Sequence, residues 1–360
     1  MKNADLKKKI IEYAKKCGAD LVGFANVERF DQYRFDESEL EKFKNLRDIK
    51  YLDLYFKEME NLVPEKINIP LSIYPETKTV IGLAFRVLRG SFRGVEEGST
   101  YYQYYTTGVE TIEEVYMPSV LFKVSGFIED AGFHAVIQKK NQTIMQEEND
   151  TNPEIVYSDI YRGIKQEAQF DFTLAAVLCG LGEIGLSGSL LTEEFGPRQR
   201  VAFILTDAEI EPDEIKEPYI CDRCGKCIKA CHGKAFDEES YFIDIEDKIY
   251  ETKVRDNWQC AAYYKGANMH YNPFMPPDAL EGFEDREKII TGSKKLGQEE
   301  AKKVMDKLIF YPGGRHSYVP SICGRACDRA CFVHLEEAGK LKNKFHNKFR
   351  KGKPWKMELL

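Results

Sequence analysis

Eight of the ten cysteines lie beyond residue 220, and their spacing constrains this chain more than any other feature. The order is Cys221-x2-Cys224-x2-Cys227-x3-Cys231, then a lone Cys260, then Cys323-x3-Cys327-x3-Cys331. A [4Fe–4S] cube takes four thiolates, so eight suffice for two. Two-residue gaps let one tight loop reach three corners of a cube, and a fourth cysteine three residues on points to the other cluster. A disulfide framework belongs to small secreted chains, whereas this one has 360 residues. Structural zinc favours two separated Cys-x2-Cys pairs or mixed Cys/His sets. The pattern predicts paired cubane clusters and a protein that moves electrons. Two details depart from a simple bacterial ferredoxin. His232 stands where a proline usually follows the run, and the second set opens with a three-residue gap.

Composition bounds the partners. A net charge of −7 argues against a generic polyanion binder. With 43% hydrophobic and 12% aromatic residues the chain can bury a sizeable core, in two domains or one large and one small. No apolar run approaches the ~18 residues that a membrane span needs. The opening Met1–Ile10 lacks the apolar core of a signal peptide, and no twin-arginine leader is visible. Thiolate-ligated clusters, with Cys17 and Cys179 free, fit a reducing compartment. The expectation is a cytoplasmic protein with no membrane partner.

Helical spacing of Leu6, Ile10, Ile11 and Ala14 predicts an amphipathic helix over 4–17, stopped by Gly18. Apolar runs predict strands at Leu21–Val27, Thr79–Phe85, Phe133–Gln138 and Val201–Asp207, and helices at Met117–Ala131 and Gln169–Cys179. The polar stretch Asn141–Pro153 reads as a surface loop. This alternation predicts an α/β layered body over residues 1–215. Glu209–Pro218, acidic and proline-bearing, reads as the linker into a cysteine domain over 216–335. Residues 336–360 form a basic tail, with eight Lys or Arg and no acid between Gly339 and Met357. It reads as a cover over the acidic body, with an RNA or phosphate-rich partner as the alternative.

Gly180-Leu-Gly182-Glu-Ile-Gly185 matches a dinucleotide fingerprint, with Asp207 at a suitable distance. The context does not. Gly188, Gly196 and Pro197 leave no room for the crossover helix that such a site requires. A dense glycine loop still lets backbone approach a large flat or phosphate-bearing ligand, with Arg198 and Arg200 placed for its anionic groups. The loop, with Leu190-Leu-Thr-Glu-Glu-Phe-Gly196-Pro-Arg198 and Ile204-Leu-Thr-Asp207 before the cysteine run, resembles the corrinoid and iron–sulfur reductases. These comprise the epoxyqueuosine reductases and the reductive dehalogenases. Gly-Glu-Ile-Gly with Phe-Gly-Pro-Arg is closer to the dehalogenase branch. The cysteine order also agrees, including a lone cysteine in Trp258-Gln-Cys260.

The resemblance implies an α/β (α+β) corrinoid-binding, nitroreductase-like domain followed by a ferredoxin-like domain with two [4Fe–4S] clusters. Cobalamin would bind base-off between them. Its nucleotide tail would lie along the glycine loop, against Gly180, Gly182, Gly185, Ser187, Gly188, Ser189 and Arg198. The chain lacks the Asp-x-His-x-x-Gly motif that offers cobalt a histidine. By the same resemblance, Cys221, Cys224, Cys227 and Cys331 hold one cube, and Cys231, Cys260, Cys323 and Cys327 the other. Reductive cleavage consumes a proton. Tyr104-Tyr105-Thr-Thr-Gly108-Val-Glu110 resembles the acid-bearing stretch of epoxyqueuosine reductases, which makes Glu110 the candidate acid and Tyr105 its neighbour. Tyr101, Tyr102 and Tyr104 are alternative donors or aromatic packing. His232, His270, His316 and His334 flank the cysteines and either tune a cluster or pack on the surface.

The resulting expectation is an oxidoreductase that removes a halide or an oxygen-bearing group from a small molecule or a modified tRNA nucleoside. A ferredoxin- or flavodoxin-type carrier would supply its electrons. The alternatives are an electron-transfer protein without corrinoid and a flavin- or nicotinamide-linked reductase.

Overall fold

The computed structural model describes residues 3–31, 66–67, 70–91, 109, 111–138, 143–147, 164–169, 172–272, 275–308 and 322–346. One-turn spacing of Leu6, Ile10 and Ala14 gives α1 (Asn3–Cys17) a buried apolar face. Gly18 ends it at φ +116°, where a Cβ would also strike the Tyr116 hydroxyl. The central sheet has the order β1 (Leu21–Asn26), β3 (Thr79–Arg86), β9 (Gln199–Thr206), β4 (Ala135–Gln138).

Side chains alternate across β3. Ile81, Leu83 and Phe85 join α1 and α2 (Met117–Asp130) in one core, while Val80 and Ala84 face the buried α3 (Phe172–Leu178) in a second. Gly23 is needed here: a Cβ would lie 2.1 Å from the Cys179 carbonyl, so the end of α3 sits directly on the sheet.

Every pairing in this sheet is antiparallel. The alternation of helices and strands therefore encodes an α+β layer rather than βαβ crossovers, because neighbours in space are not joined by parallel returns. The expected surface loop at 141–153 is also corrected. Thr143–Glu147 forms β5, antiparallel to β6 (Ile164–Gln169), which pairs in parallel with β2 (Lys66–Ile67). Local polarity misled there, since a strand needs only one apolar face.

The expected linker does not hang free. Ile210 and Ile215 are buried, and Asp213 binds Lys7 (2.7 Å) and the Phe24 amide (3.1 Å). Beyond it comes a hairpin of β10 (Phe236–Ile245) and β11 (Lys248–Arg255), whose turn residues Glu246 and Asp247 both adopt positive φ. Ile243, Ile245 and Tyr250 from this hairpin complete the second core. A third core gathers α5 (Asn257–Tyr264), the short helix Arg286–Ile290 and α6 (Gln298–Lys307). The last described helix is α7 (Ala326–Glu337). After it, residues 340–343 lie across the body: Lys342 pairs with Glu193, and its amide donates to the Glu193 carbonyl. No helix among the described residues is long and apolar enough to cross a membrane.

Candidate metal centre

Arg223 (φ +58°) and Gly225 (φ +69°) turn the chain left-handed twice within three residues. That coil brings Cys221, Cys224 and Cys227 to one recess, which Cys331 enters from α7. Gly185, Leu186 and Ser187 form part of the wall. The Leu186 amide donates to Cys221 Sγ (3.4 Å), and the Ser187 hydroxyl bonds the Cys227 thiol. Burial first, then the nearby Cys221, pushes the Cys227 thiol up to about 11. Cys331 is held well above its ordinary value by burial and then by Cys227.

The second group forms around Cys327. Burial raises its thiol strongly, followed by the neighbouring Asp328 and Cys323, with Cys260 also contributing. Cys260 sits on α5, which Asp256 caps by accepting from the Gln259 amide (2.8 Å). The Cys323 amide donates to the carbonyl of Tyr264, the last residue of that helix (3.3 Å). Cys231 accepts from the Ala235 amide (3.3 Å). With His232 at the position of the usual proline, the next residue, Gly233, shapes the turn after Cys231. A Cβ there would meet the Tyr263 ring at 2.2 Å, and the Gly233 carbonyl accepts from Gln259 Nε2 (2.6 Å).

Cys327 and Cys331 lie four residues apart on α7, yet their electrostatic neighbours differ: Cys323 and Cys260 for one, Cys227, Cys221 and Cys224 for the other. One helical turn, about 6 Å of rise over four residues, thus separates the two groups. The ten cysteines are all free. The chemistry of this donor set suits ligation of a cationic iron–sulfur centre. Crowded, buried thiols lose their protons only to a strongly positive partner, and ligation by iron supplies one.

Two buried carboxylates escaped the sequence reading. Glu183, fully buried, accepts from the amides of Tyr219 (2.7 Å), Ile220 (2.9 Å) and Cys221 (2.7 Å), so it fixes the entrance of the cysteine loop. Its signal was the acid inside the glycine motif. Asp328, 2% exposed, accepts from the Ser189 hydroxyl (2.7 Å) and pairs with Arg325 (2.7 Å) beside both thiol groups.

The residues expected to cradle a corrinoid tail serve the protein's own packing. A Cβ on Gly182 would lie 2.1 Å from the Leu191 carbonyl, on Gly180 2.6 Å from the Glu214 carbonyl, and on Gly185 2.7 Å from Leu191 Cδ1. Gly188 turns between β7 (Glu183–Ile184) and β8 (Leu190–Leu191), a hairpin where a dinucleotide site would have a helix. Ser187 and Ser189 contact Cys227 and Asp328. Arg198 is 1% exposed and engages the Val87 carbonyl, Asn343 Oδ1 (2.7 Å) and the rings of Phe195, Phe332 and Phe345. Burial, then Arg86, lowers its pKa to about 10. Arg200 pairs with Glu113 (2.7 Å). Gly180, Gly182, Gly185 and Arg198 are therefore engaged in the chain's own packing, while Gly188 and Ser189 stay half-exposed.

Glu110, Tyr105, Tyr101, Tyr102, Tyr104 and His316 lie outside the described residues. His232 stacks on Tyr271 (centroids 3.9 Å apart), and burial, then His270, draws its pKa down to about 4. His334 holds Asp222 (2.7 Å) at the rim of the first recess.

No family model matches the chain. A tetrachloroethene reductive dehalogenase of Dehalobacter restrictus is 35% identical over 103 residues, which is 27% of this chain and 19% of that protein. One from Desulfitobacterium hafniense is 43% identical over 103 residues, with the same shares. The match thus spans about a fifth of the length of these relatives. An epoxyqueuosine reductase of Lactococcus garvieae is 28% identical over 122 residues, 29% of this chain and 34% of that enzyme. Among solved structures, an epoxyqueuosine reductase from Streptococcus thermophilus gives a TM-score of 0.43 at 18% identity, covering 75% of this chain and 61% of that one. A catabolic reductive dehalogenase gives 0.43 at 14% identity, covering 82% and 34%.

Proposed function

We propose that this chain, a relative of the reductive dehalogenases and the epoxyqueuosine reductases, is a reductase that holds two [4Fe–4S] clusters and passes their electrons singly to a reducible centre. The observation that carries the proposal is the sorting of thiols at α7: Cys331 lines one recess with Cys221, Cys224 and Cys227, whereas Cys323, just before Cys327, is tied to the helix of Cys260 through the Tyr264 carbonyl (3.3 Å). Cys231, one turn beyond Cys227, completes the second set in this reading.

The reaction proposed is reductive cleavage of a carbon–halogen or carbon–oxygen bond, in a small molecule or a modified tRNA nucleoside. Kinship with both branches supports that class and leaves the two substrates as alternatives. A bound corrinoid would supply a strongly reducing metal for such cleavage. By the resemblance its nucleotide tail would lie along the glycine loop, where Gly188 and Ser189 are half-exposed. The inward packing of Gly180, Gly182, Gly185 and Arg198 favours a second reading, an iron–sulfur electron carrier without corrinoid.

Metal and sulfide analysis of oxygen-free preparations tests both. About eight irons per chain are expected, with cobalt deciding between the enzyme and the carrier. Colourless protein holding zinc and no iron overturns the proposal. A cytoplasmic location and a soluble one-electron donor belong to the same reading.

A further inference from the structure

Of the eight clustered thiols, only Cys224 is exposed. Electron tunnelling falls off steeply with distance, so a protein donor must reach the edge of a cluster that comes nearest the surface. Under the two-cluster reading above, on which this inference rests, that edge is the Cys224 corner.

The charge around it is opposite to that of the whole chain. Against a net charge of −7, residues 216–234 carry five Lys or Arg and two acids. Three acids of this loop and the adjoining hairpin are engaged: Glu217 by Lys248 (2.5 Å), Asp222 by His334 (2.7 Å), Glu251 by Arg223 (2.6 Å). Lys226 and Lys229, three apart on α4 (Lys226–Lys229), are exposed and meet no carboxylate among the described residues. Residues three apart on a helix share a face. Tyr219, 51% exposed, adds an aromatic surface on the same loop as Cys221, of the kind that anchors protein contacts.

We infer that this basic surface, centred on Cys224, Lys226 and Lys229, docks an acidic one-electron carrier protein. Transfer there is balanced by a single electron: the carrier is oxidised by one, the cluster reduced by one, and no bond forms or breaks. Opposite charge raises the encounter rate of such pairs and orients the carrier toward the exposed corner.

The test uses full-length, iron-loaded Lys226→Glu/Lys229→Glu protein, with Lys226→Gln/Lys229→Gln as a milder companion. A purified acidic ferredoxin is the probe. Its oxidised form gives a Kd by calorimetry, and its reduced form gives the rate of cluster bleaching by stopped flow. The charge-reversed variant is expected to lose about tenfold or more in both at low ionic strength, the neutral one less. The difference should shrink at about 1 M salt, where the Debye length is near 3 Å. Reduction by photoreduced deazaflavin, a small uncharged donor, should match wild type. Equal ferredoxin rates in iron-loaded wild type and variant overturn the docking surface alone. So does a variant that loses affinity for a tRNA stem-loop while keeping it for ferredoxin. Iron-free preparations overturn the cluster reading, and the docking surface with it.

Discussion

Glu183 has no chain neighbour to explain it, because its three amide partners lie 36 to 38 positions away. Glu183→Ala would leave those donors unpaired at a buried site, at a cost of about 1–3 kcal/mol for each group left unsatisfied. We expect roughly half the iron to be lost, from the Cys221 side, with a lower urea midpoint; Glu183→Gln, which keeps one acceptor oxygen, should lose less. Full iron content in the alanine variant would remove Glu183 from the support of the loop. The grouping of Cys221, Cys224 and Cys227, by contrast, was legible in sequence, since two-residue gaps let one tight loop gather three thiols. Glu183 and Asp328 were not, for each acts on a group distant in the chain.

Elsewhere the same scale yields a pH dependence. His134 is held above its ordinary value by its hydrogen bond to Asp207 and then by that carboxylate's charge. A raised histidine contributes its stability in full below about pH 6.5 and loses it as pH rises through the folded value. The urea midpoint should therefore fall slightly between neutral and mildly alkaline pH, and His134→Gln should flatten that slope. An identical slope in the variant would show that the pair is too exposed to matter.

At the scale of elements, α7 joins the two thiol groups. Cys331→Ala and Cys224→Ala should each remove the same cluster, while Cys327→Ala and Cys260→Ala remove the other; each leaves about four fewer irons or a degraded three-iron centre. Paramagnetic resonance of the reduced variants separates the cases, and identical spectra for Cys331→Ala and Cys327→Ala would contradict the sorting. Gly233→Ala tests the turn that replaces proline. Its Cβ would fall 2.2 Å from Tyr263 Cδ2, so overpacking of about 1–3 kcal/mol is expected. Tyr263→Ala, which removes both Cδ2 (2.2 Å) and Cγ (2.5 Å), should relieve part of that loss in the double variant, and no relief would place the strain elsewhere. Periodicity revealed α1 and α2 because a helix writes its buried face locally. It could not reveal the antiparallel order of the sheet, where Thr79 pairs with Thr206 and Leu21 with Ala84. Those choices are made by long-range packing. The polar β5 was hidden for the same reason.

Across the whole molecule the stabilising contacts are unevenly shared. Two large cores flank the four-stranded sheet, and the β10–β11 hairpin belongs to one of them through Ile243, Ile245 and Tyr250. Arg29 strengthens that attachment, joining Glu246 at the hairpin turn (2.7 Å) to the Leu178 carbonyl (2.6 Å). Around α7 the apolar core among the described residues is Leu191, Ile220, Phe332, Leu335 and Leu341, with Cys221 and Cys331 packed against it. On the proposed cluster reading, so small a core would gain much of its order from ligation, as small metal-binding domains do. Destroying the clusters with oxygen and a chelator should therefore melt α7 and the 221–231 loop first and leave the sheet folded. Calorimetry should then show a low-temperature transition moving down while a later one stays in place. Limited proteolysis should cut within 221–231 and beyond residue 320, sparing 236–255. The hairpin is the discriminating part: it lies between cysteine segments in the chain, yet its side chains are held by the amino-terminal core. Cuts within 236–255 as early as those in 221–231 would mean that the clusters hold the hairpin as well. One unchanged transition would mean that they hold nothing.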